Sequence, residues 1–150
     1  MSQMLLQHAT AVAIAGEAVL LRGPSGCGKS DLALRLIDGG ARLVADDQTL
    51  LRRAGERLVA SAPPAIAGLL EVRGVGIVKL DALAEAPLLF VAELGAAAAI
   101  ERMPEPRFET LLGIRVPLIA LAPFEASAPA KLRCVRRALA AGWPGAIIGM

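Results

Sequence analysis

The chain has 150 residues, enough to bury one hydrophobic core, and its hydrophobic fraction of 55% argues against a disordered protein. The formal net charge is only +2, the arginines are dispersed, and the chain has three Phe, one Trp and no Tyr. Nucleic-acid binding usually relies on a concentrated basic surface or on several aromatic stacking platforms. We therefore expect a single domain over residues 1–150 and no nucleic-acid partner.

The cellular location is predicted from two kinds of segment, a secretory signal and a membrane-spanning stretch, that are not recognisable in the sequence. The first four residues lack the basic and apolar parts of a secretory signal. The most apolar stretch, residues 87–100, is interrupted by Glu93 and Gly95 and is too short to span a bilayer. Two cysteines, Cys27 and Cys134, do not make a disulfide framework. We expect a cytoplasmic protein with reduced thiols and no membrane partner.

The hydrophobic pattern predicts a mixture of hairpins and one strand–loop–helix unit. The predicted elements, in chain order, are strands over 5–8, 11–14 and 18–21, a helix over 29–38, a strand over 43–45, a hairpin of 49–53 with 57–60, a helical turn from Pro63, strands over 88–93 and 114–121, and a helix over 128–141 ended by Gly142 and Pro144. Pro117 marks an edge or an irregularity in its strand. The order predicts an α/β domain without the regular alternation of a doubly wound fold.

The most informative segment is Gly23-Pro24-Ser25-Gly26-Cys27-Gly28-Lys29-Ser30, which matches the phosphate-binding pattern G-x-x-x-x-G-K-[ST]. Its glycines allow a concave turn whose backbone N–H groups point at one anion, and the following helix adds the positive end of its dipole. Lys29 supplies a charge for the β- and γ-phosphates, and the Ser30 hydroxyl suits Mg²⁺. We predict a nucleoside triphosphate or another polyphosphate as the ligand; the alternative is a glycine turn with an exposed lysine.

A second group of polar residues supplies acids for chemistry. Asp46 and Asp47 follow a predicted buried strand, sixteen and seventeen residues after Ser30. Neighbouring residues at a strand end point in opposite directions, so one aspartate could take the proton of an acceptor hydroxyl while the other reaches the metal or a structural partner. The alternative is a solvated Asp-Asp turn. Asp31 is either a dipole-stabilising acid of the first helical turn or a metal contact through water, and His8 is either structural or paired with an aspartate.

Taken together, four segments resemble the C-terminal catalytic domain of the HPr kinase/phosphorylase family. They are His8-Ala9, residues 23–30 followed by Asp31, residues 44–47, and Leu70-Glu71-Val72-Arg73-Gly74-Val75-Gly76-Ile77. The resemblance extends over residues 5 to about 122 and is to a short, single-domain form found in some bacteria. It implies a P-loop fold similar to the nucleotide-binding part of phosphoenolpyruvate carboxykinase, with a mixed sheet and flanking helices.

The resemblance also implies an activity. Members use ATP and Mg²⁺ to phosphorylate a serine of an HPr-like phosphocarrier protein, catalyse the reverse phosphorolysis, and so regulate carbon or nitrogen metabolism. It further implies a homo-oligomer, which is a hexamer in the family. Two other functions are kept as alternatives: an ATP-binding sensor with little turnover, and a small-molecule P-loop kinase.

The family assigns roles to matching residues of this chain. The implied catalytic residues are Asp46 as the general base, its neighbour His8, Asp47 and Arg102; residues 23–30 bind the nucleotide; Ser30, Asp31 and Glu71 lie on the metal side. Two segments depart from the family pattern. Residues 123–127 stand where members usually have Gly-Arg-Asn, and the loop that contacts the protein substrate is shortened around residues 96–106.

Overall fold

A computed structural model describes residues 3–143 of the chain. The described strands are β1 Met4–Gln7, β2 Ala9–Ile14, β3 Glu17–Arg22, β4 Arg42–Ala45, β5 Thr49–Ala54, β6 Arg57–Ser61, β7 Leu69–Val72, β8 Gly76–Lys79, β9 Glu85–Leu94, β10 Arg107–Leu111 and β11 Ile114–Leu121. The helices are α1 Lys29–Asp38 and α2 Ala128–Ala140, and short 3₁₀ turns lie at Pro64–Ile66 and Ala97–Ala99.

Nine of these strands form one mixed sheet, which confirms the predicted α/β class. The strand order is β1-β5-β6-β9-β3-β2-β4, and β11 joins β9 while β10 joins β11. The neighbours β3, β9 and β11 are parallel, whereas β2 is antiparallel to both β3 and β4. The remaining strands, β7 and β8, form a separate antiparallel hairpin.

The two faces of the sheet are covered by two apolar clusters. Successive side chains of a strand point to opposite faces, so Val12 and Ile14 of β2 enter one cluster while Ala11 and Ala13 enter the other. Both helices pack on the first face, through residues such as Leu32 of α1 and Leu132 of α2. Neither described helix contributes to the second cluster.

The strand registers bring several chain segments to one edge of the sheet. The pairs that define this edge are Ala9 with Arg22, Ala11 with Ala45, Glu93 with Arg22, and Leu94 with Leu121. Consequently the segments that follow β3, β4, β9 and β11 and the residue that precedes β2 lie at the same edge. In open α/β sheets, ligands bind outside the carboxyl ends of parallel strands.

Several predicted elements are confirmed closely. Helix α1 has the predicted bounds, and β5 and β6 form the predicted hairpin. Strand β11 also has its predicted bounds, and Pro117 inside it precedes Leu118, where the parallel pairing with β9 begins. A proline lacks an N–H donor, so it is tolerated where that ladder has not started.

Other local predictions were wrong or incomplete. His8 was expected to end a strand, but it occupies a bend between β1 and β2. Residues 69–77 were assigned no element, yet they form the β7–β8 hairpin, whose turn is closed by the Val75 N–H donating to the Val72 carbonyl at 2.9 Å. Strand β10 was not predicted, because its charged residues obscure the apolar pattern of a strand. Pro144, predicted to help end the last helix, lies outside the described residues.

Candidate active site

A cavity of about 500 Å³ lies at the edge where these segments meet. Its size is within the range of small-molecule binding sites. The residues that line it are Ser25, Gly26, Gly28, Lys29, Ser30, Asp31, Leu34, Asp46, Asp47, Glu71, Val72, Arg73 and Phe124. Much of the predicted nucleotide loop, both aspartates and Glu71 therefore line the same cavity.

The 23–30 loop connects β3 directly to α1. Gly26 and Gly28 have φ angles of 80° and 103°, which residues with a Cβ rarely adopt. Helix α1 begins at Lys29, and none of the described side chains caps its first turn. Its first backbone N–H groups thus have no partner within the helix, which is the arrangement that anions use at helix N-termini.

The Lys29 side chain is buried against its own loop. Its Nζ donates to the Gly23 carbonyl at 2.7 Å and to the Pro24 carbonyl at 3.1 Å. An ammonium group has three N–H donors, so these two bonds fix the position of the charge over the loop.

Asp46 is only 8% exposed and connects four elements of the site. Its Oδ1 accepts hydrogen bonds from Ser30 Oγ at 2.7 Å and from Thr10 Oγ1 at 3.1 Å. Its Oδ2 accepts one from the backbone N–H of Glu71 at 3.1 Å. The carboxylate that follows β4 is therefore held by groups from α1, β2 and β7, and it is in direct contact with Ser30 of the 23–30 loop.

Asp47 faces a different environment from Asp46, as the sequence predicted. Its φ of 64° and the 2.7 Å bond from the Gln48 N–H to the Asp46 carbonyl make a tight turn. The carboxylate atom Oδ1 of Asp47 lies 2.7 Å from Nε2 of His8. Both side chains are more than half exposed. His8 is thus paired with an aspartate, which was one of its two predicted roles.

Thr10 is a site residue that the sequence reasoning missed. Its fully buried hydroxyl donates to Asp46 and accepts the backbone N–H of Asp47 at 3.0 Å. One hydroxyl therefore positions both aspartates. The signal was present in the sequence, because a hydroxyl within the apolar run 9–14 needs a hydrogen-bond partner once it is buried.

Three other predicted residues have different placements. The Asp31 carboxylate forms an ion pair with Arg35 Nε at 3.1 Å. Glu71 lines the cavity with an exposed side chain, and the contact described for it is the one from its backbone to Asp46. Arg102 is exposed in the segment before β10 and is not among the residues that line the cavity.

The oxygen atoms beside the 23–30 loop are few, but they are of the kind that Mg²⁺ prefers. Within residues 3–143, no group of three or more His, Cys, Asp or Glu side chains is placed to hold a metal ion. Mg²⁺, however, is commonly held by one or two protein oxygens together with substrate phosphates and water. Ser30 Oγ and the Asp46 carboxylate are hard oxygen donors beside the loop, so the residues present fit a metal that arrives with its nucleotide.

A charged cluster fixes the strand ends under the loop. Arg22, the last residue of β3, donates to both carboxylate oxygens of Glu109 in β10, at 2.5 and 2.8 Å. It also donates to Glu93 of β9 at 3.0 Å and to Gln7 beside His8 at 3.3 Å. The hydrogen bonds from Arg22 lower the pKa of Glu109 below its ordinary value of 4.5.

We expect Glu109→Gln to lower the free energy of unfolding at neutral pH by about 1 kcal/mol. Because the pKa of Glu109 is lowered on folding, its contribution is present above about pH 4.5 and is lost as the pH falls through the lowered pKa. Urea unfolding at neutral and acidic pH should show the variant and wild type converging in acid. Glu56→Gln, at an exposed pair with Arg53, is the control. An equal difference at both pH values would contradict the ionic origin.

The fold and cavity define an α/β domain in which a parallel strand leads through a phosphate-loop sequence into a helix. The sequence model of one protein family, the HPr Serine kinase C-terminal domain, matches residues 1–85. Because this match includes more than half of the chain, the chain belongs to this family. It is 36% identical over 132 residues to the HPr kinase/phosphorylase of Chlorobium limicola, with 78% of this chain and 39% of that protein covered. The corresponding protein of Clostridium tetani is 36% identical over 108 residues, with 71% of this chain and 35% of the relative covered.

A solved structure gives the same result for the fold. The Hpr(Ser) kinase/phosphatase from Coxiella burnetii matches with a TM-score of 0.79 at 27% identity, covering 89% of this chain and 94% of that chain. The chain spans less than two fifths of the length of the two curated relatives above. Among the helices of residues 3–143, none has the length and apolar character needed to cross a membrane.

Proposed function

We propose that this chain is an ATP- and Mg²⁺-dependent kinase and phosphorylase that acts on a serine of an HPr-like phosphocarrier protein in the cytoplasm and so regulates carbon or nitrogen metabolism. The names of its relatives and its family membership support the reaction class. The observation that carries the proposal is the 2.7 Å hydrogen bond from Ser30 to Asp46. It places the pair of aspartates directly beside the predicted triphosphate site, and phosphoryl transfer to a hydroxyl uses a carboxylate near the transferred phosphate.

The reaction would proceed as an in-line transfer. The acceptor serine oxygen forms a bond to the γ-phosphorus of ATP, the bond to the β,γ-bridging oxygen breaks, ADP leaves, and the hydroxyl proton passes to a base. In phosphorolysis, inorganic phosphate attacks the phosphoserine and yields pyrophosphate and the free serine. Bound Mg²⁺ would neutralise phosphate charge, and the loop N–H groups with Lys29 would hold the phosphates in position.

The hydrogen bonds of Asp46 and Asp47 support a different role for each aspartate. The family resemblance predicts Asp46 as the base. In the structure, however, the Asp46 carboxylate already accepts three hydrogen bonds, and one of them aligns Ser30. The half-exposed Asp47–His8 pair is open to an incoming hydroxyl. We therefore propose that Asp46 aligns the phosphate and metal side while Asp47, oriented by His8, accepts the proton.

The proposal is tested with γ-labelled ATP, Mg²⁺ and the organism's own HPr-like proteins. We expect label on one carrier, at a serine identified by mass spectrometry, and no label when that serine is replaced by alanine. Adding phosphate to the labelled carrier should release pyrophosphate if phosphorolysis operates. Light scattering of the purified chain tests the homo-oligomer that the resemblance implies.

The same assay separates the alternatives. ATP binding without label on any carrier would reject the kinase proposal and favour a sensor. Label on a small molecule from the same extract, with none on protein, would favour a small-molecule kinase.

A further inference from the structure

Phe124 lies at the rim of the cavity without a role in the reaction described above. It is the one aromatic among the exposed large apolar side chains of residues 3–143, with 70% of its surface exposed. Its ring lies against the phosphate loop: a Cβ built on Gly28 would come within 2.8 Å of the ring carbon Cζ. An exposed aromatic face beside a predicted nucleotide loop is a feature that stacking ligands use.

The segment that bears Phe124 is fastened to helix α1. Arg35 donates to the carbonyl of Pro123 and, at 3.3 Å, to that of Glu125. The same side chain pairs with Asp31 at 3.1 Å. The residues on both sides of Phe124 are therefore held to the helix that begins at the phosphate loop, so the ring has a defined position relative to that loop.

The order of the strands places Phe124 opposite the acidic residues. Strand β3, which enters the loop, lies between β2 and β9. Asp46 and Asp47 follow β4 on the β2 side, whereas Phe124 follows β11 on the β9 side. In an in-line transfer the attacking and leaving oxygens lie on opposite sides of the phosphorus. An acceptor that enters beside Asp47 therefore directs the rest of the nucleotide toward Phe124.

We propose that Phe124 is the stacking platform for the adenine ring of the nucleotide, an inference that rests on the proposed phosphotransfer function. The ring supplies a flat apolar face and no hydrogen-bond donors. Base–aromatic stacking tolerates any base, so the platform contributes affinity for a nucleotide over a bare polyphosphate chain rather than a choice of base.

Titration calorimetry with Mg²⁺ and two ligands tests the inference: a non-hydrolysable ATP analogue, and inorganic tripolyphosphate, which lacks the base. We expect Phe124→Ala to weaken binding of the ATP analogue roughly 5- to 100-fold and to leave tripolyphosphate binding unchanged. Phe124→Trp should retain the tighter binding of the analogue. Met4→Ala, an exposed apolar truncation on β1 away from the cavity, is the matched control.

The outcomes separate this inference from the proposed function. If Phe124→Ala lost the same affinity for both ligands, the ring would only support the loop. If the variant gained the same affinity for both, the ring would cover the phosphate site. Either result would overturn the proposal that Phe124 stacks on the base. A wild-type protein that binds the analogue no more tightly than tripolyphosphate also overturns it, while leaving phosphotransfer intact. Failure to bind either ligand would reject both the platform and the proposed function.

Discussion

Replacing Lys29 by methionine should lower kcat/KM for carrier phosphorylation by about 10²- to 10³-fold or more. Methionine preserves the buried apolar stem of the side chain but removes the charge and the donors that Nζ directs to the loop carbonyls of Gly23 and Pro24. The developing charge on the transferred phosphate would then lose the cation that the loop holds beside it. Steady-state kinetics of label transfer measures the loss, and calorimetry measures the accompanying loss of ATP affinity.

The matched control is Lys79→Met, which makes the same change at an exposed position at the end of β8. It should leave both quantities unchanged. Thermal melting of the Lys29 variant distinguishes a chemical effect from a folding defect. A loss of less than about tenfold in a folded Lys29→Met protein would mean that the loop does not serve phosphoryl transfer.

Exchanging each aspartate for asparagine should produce two different defects. In Asp46→Asn, the amide NH₂ must face either the Glu71 N–H or the hydroxyls of Ser30 and Thr10, so at least one buried donor loses its acceptor. We expect weaker Mg²⁺–ATP binding together with lower kcat. In Asp47→Asn the fold and ATP affinity should be retained while kcat falls about 10²- to 10⁴-fold, since a general base is removed.

Calorimetry with Mg²⁺–ATP and carrier kinetics, run on both variants, resolve these patterns. Asp81→Asn makes the same chemical change at a highly exposed carboxylate and should behave as wild type. If Asp46→Asn kept full ATP affinity and lost only kcat, Asp46 would be the base, as the family resemblance predicts. If Asp47→Asn stayed fully active, the Asp47–His8 pair would have no part in proton transfer.

The segment from the 23–30 loop through helix α1 was predictable, because the residues that start and end the helix agree with the apolar positions that pack on the sheet. Helix α1 follows a recognisable loop and ends at two glycines, and its apolar positions include Leu32 and Leu36, which meet the sheet. The different surroundings of Asp46 and Asp47 were expected from their place after a strand, although the structure separates the two side chains by a tight turn with φ 64° at Asp47 rather than by strand alternation. The family model and the match to the Coxiella burnetii structure confirm the resemblance found in the motifs.

The rest depends on contacts between residues distant in sequence. Thr10 meets Asp46 only because β2 pairs with β4, and this pairing cannot be read from either strand. Strand β10 is recognisable through its partner β11 and through the pairing of Glu109 with Arg22 of β3. The position of Phe124 beside Gly28 could not be predicted, because the 23–30 loop lies nearly a hundred residues earlier in the chain.

The left-handed backbone at Asp47 restricts which amino acids can replace it. At φ 64°, a side chain with a bulky or branched Cβ is strained, whereas Gly, Asn and Asp are tolerated. Of these three, only aspartate also provides a carboxylate. The backbone conformation and the proposed proton transfer are two separate requirements, and aspartate meets both. We expect Asp47→Glu, which keeps the acid, to melt at a lower temperature than Asp47→Asn, which keeps the turn. Related sequences could therefore exchange this aspartate for glutamate, which keeps the acid, only if the turn itself were rebuilt.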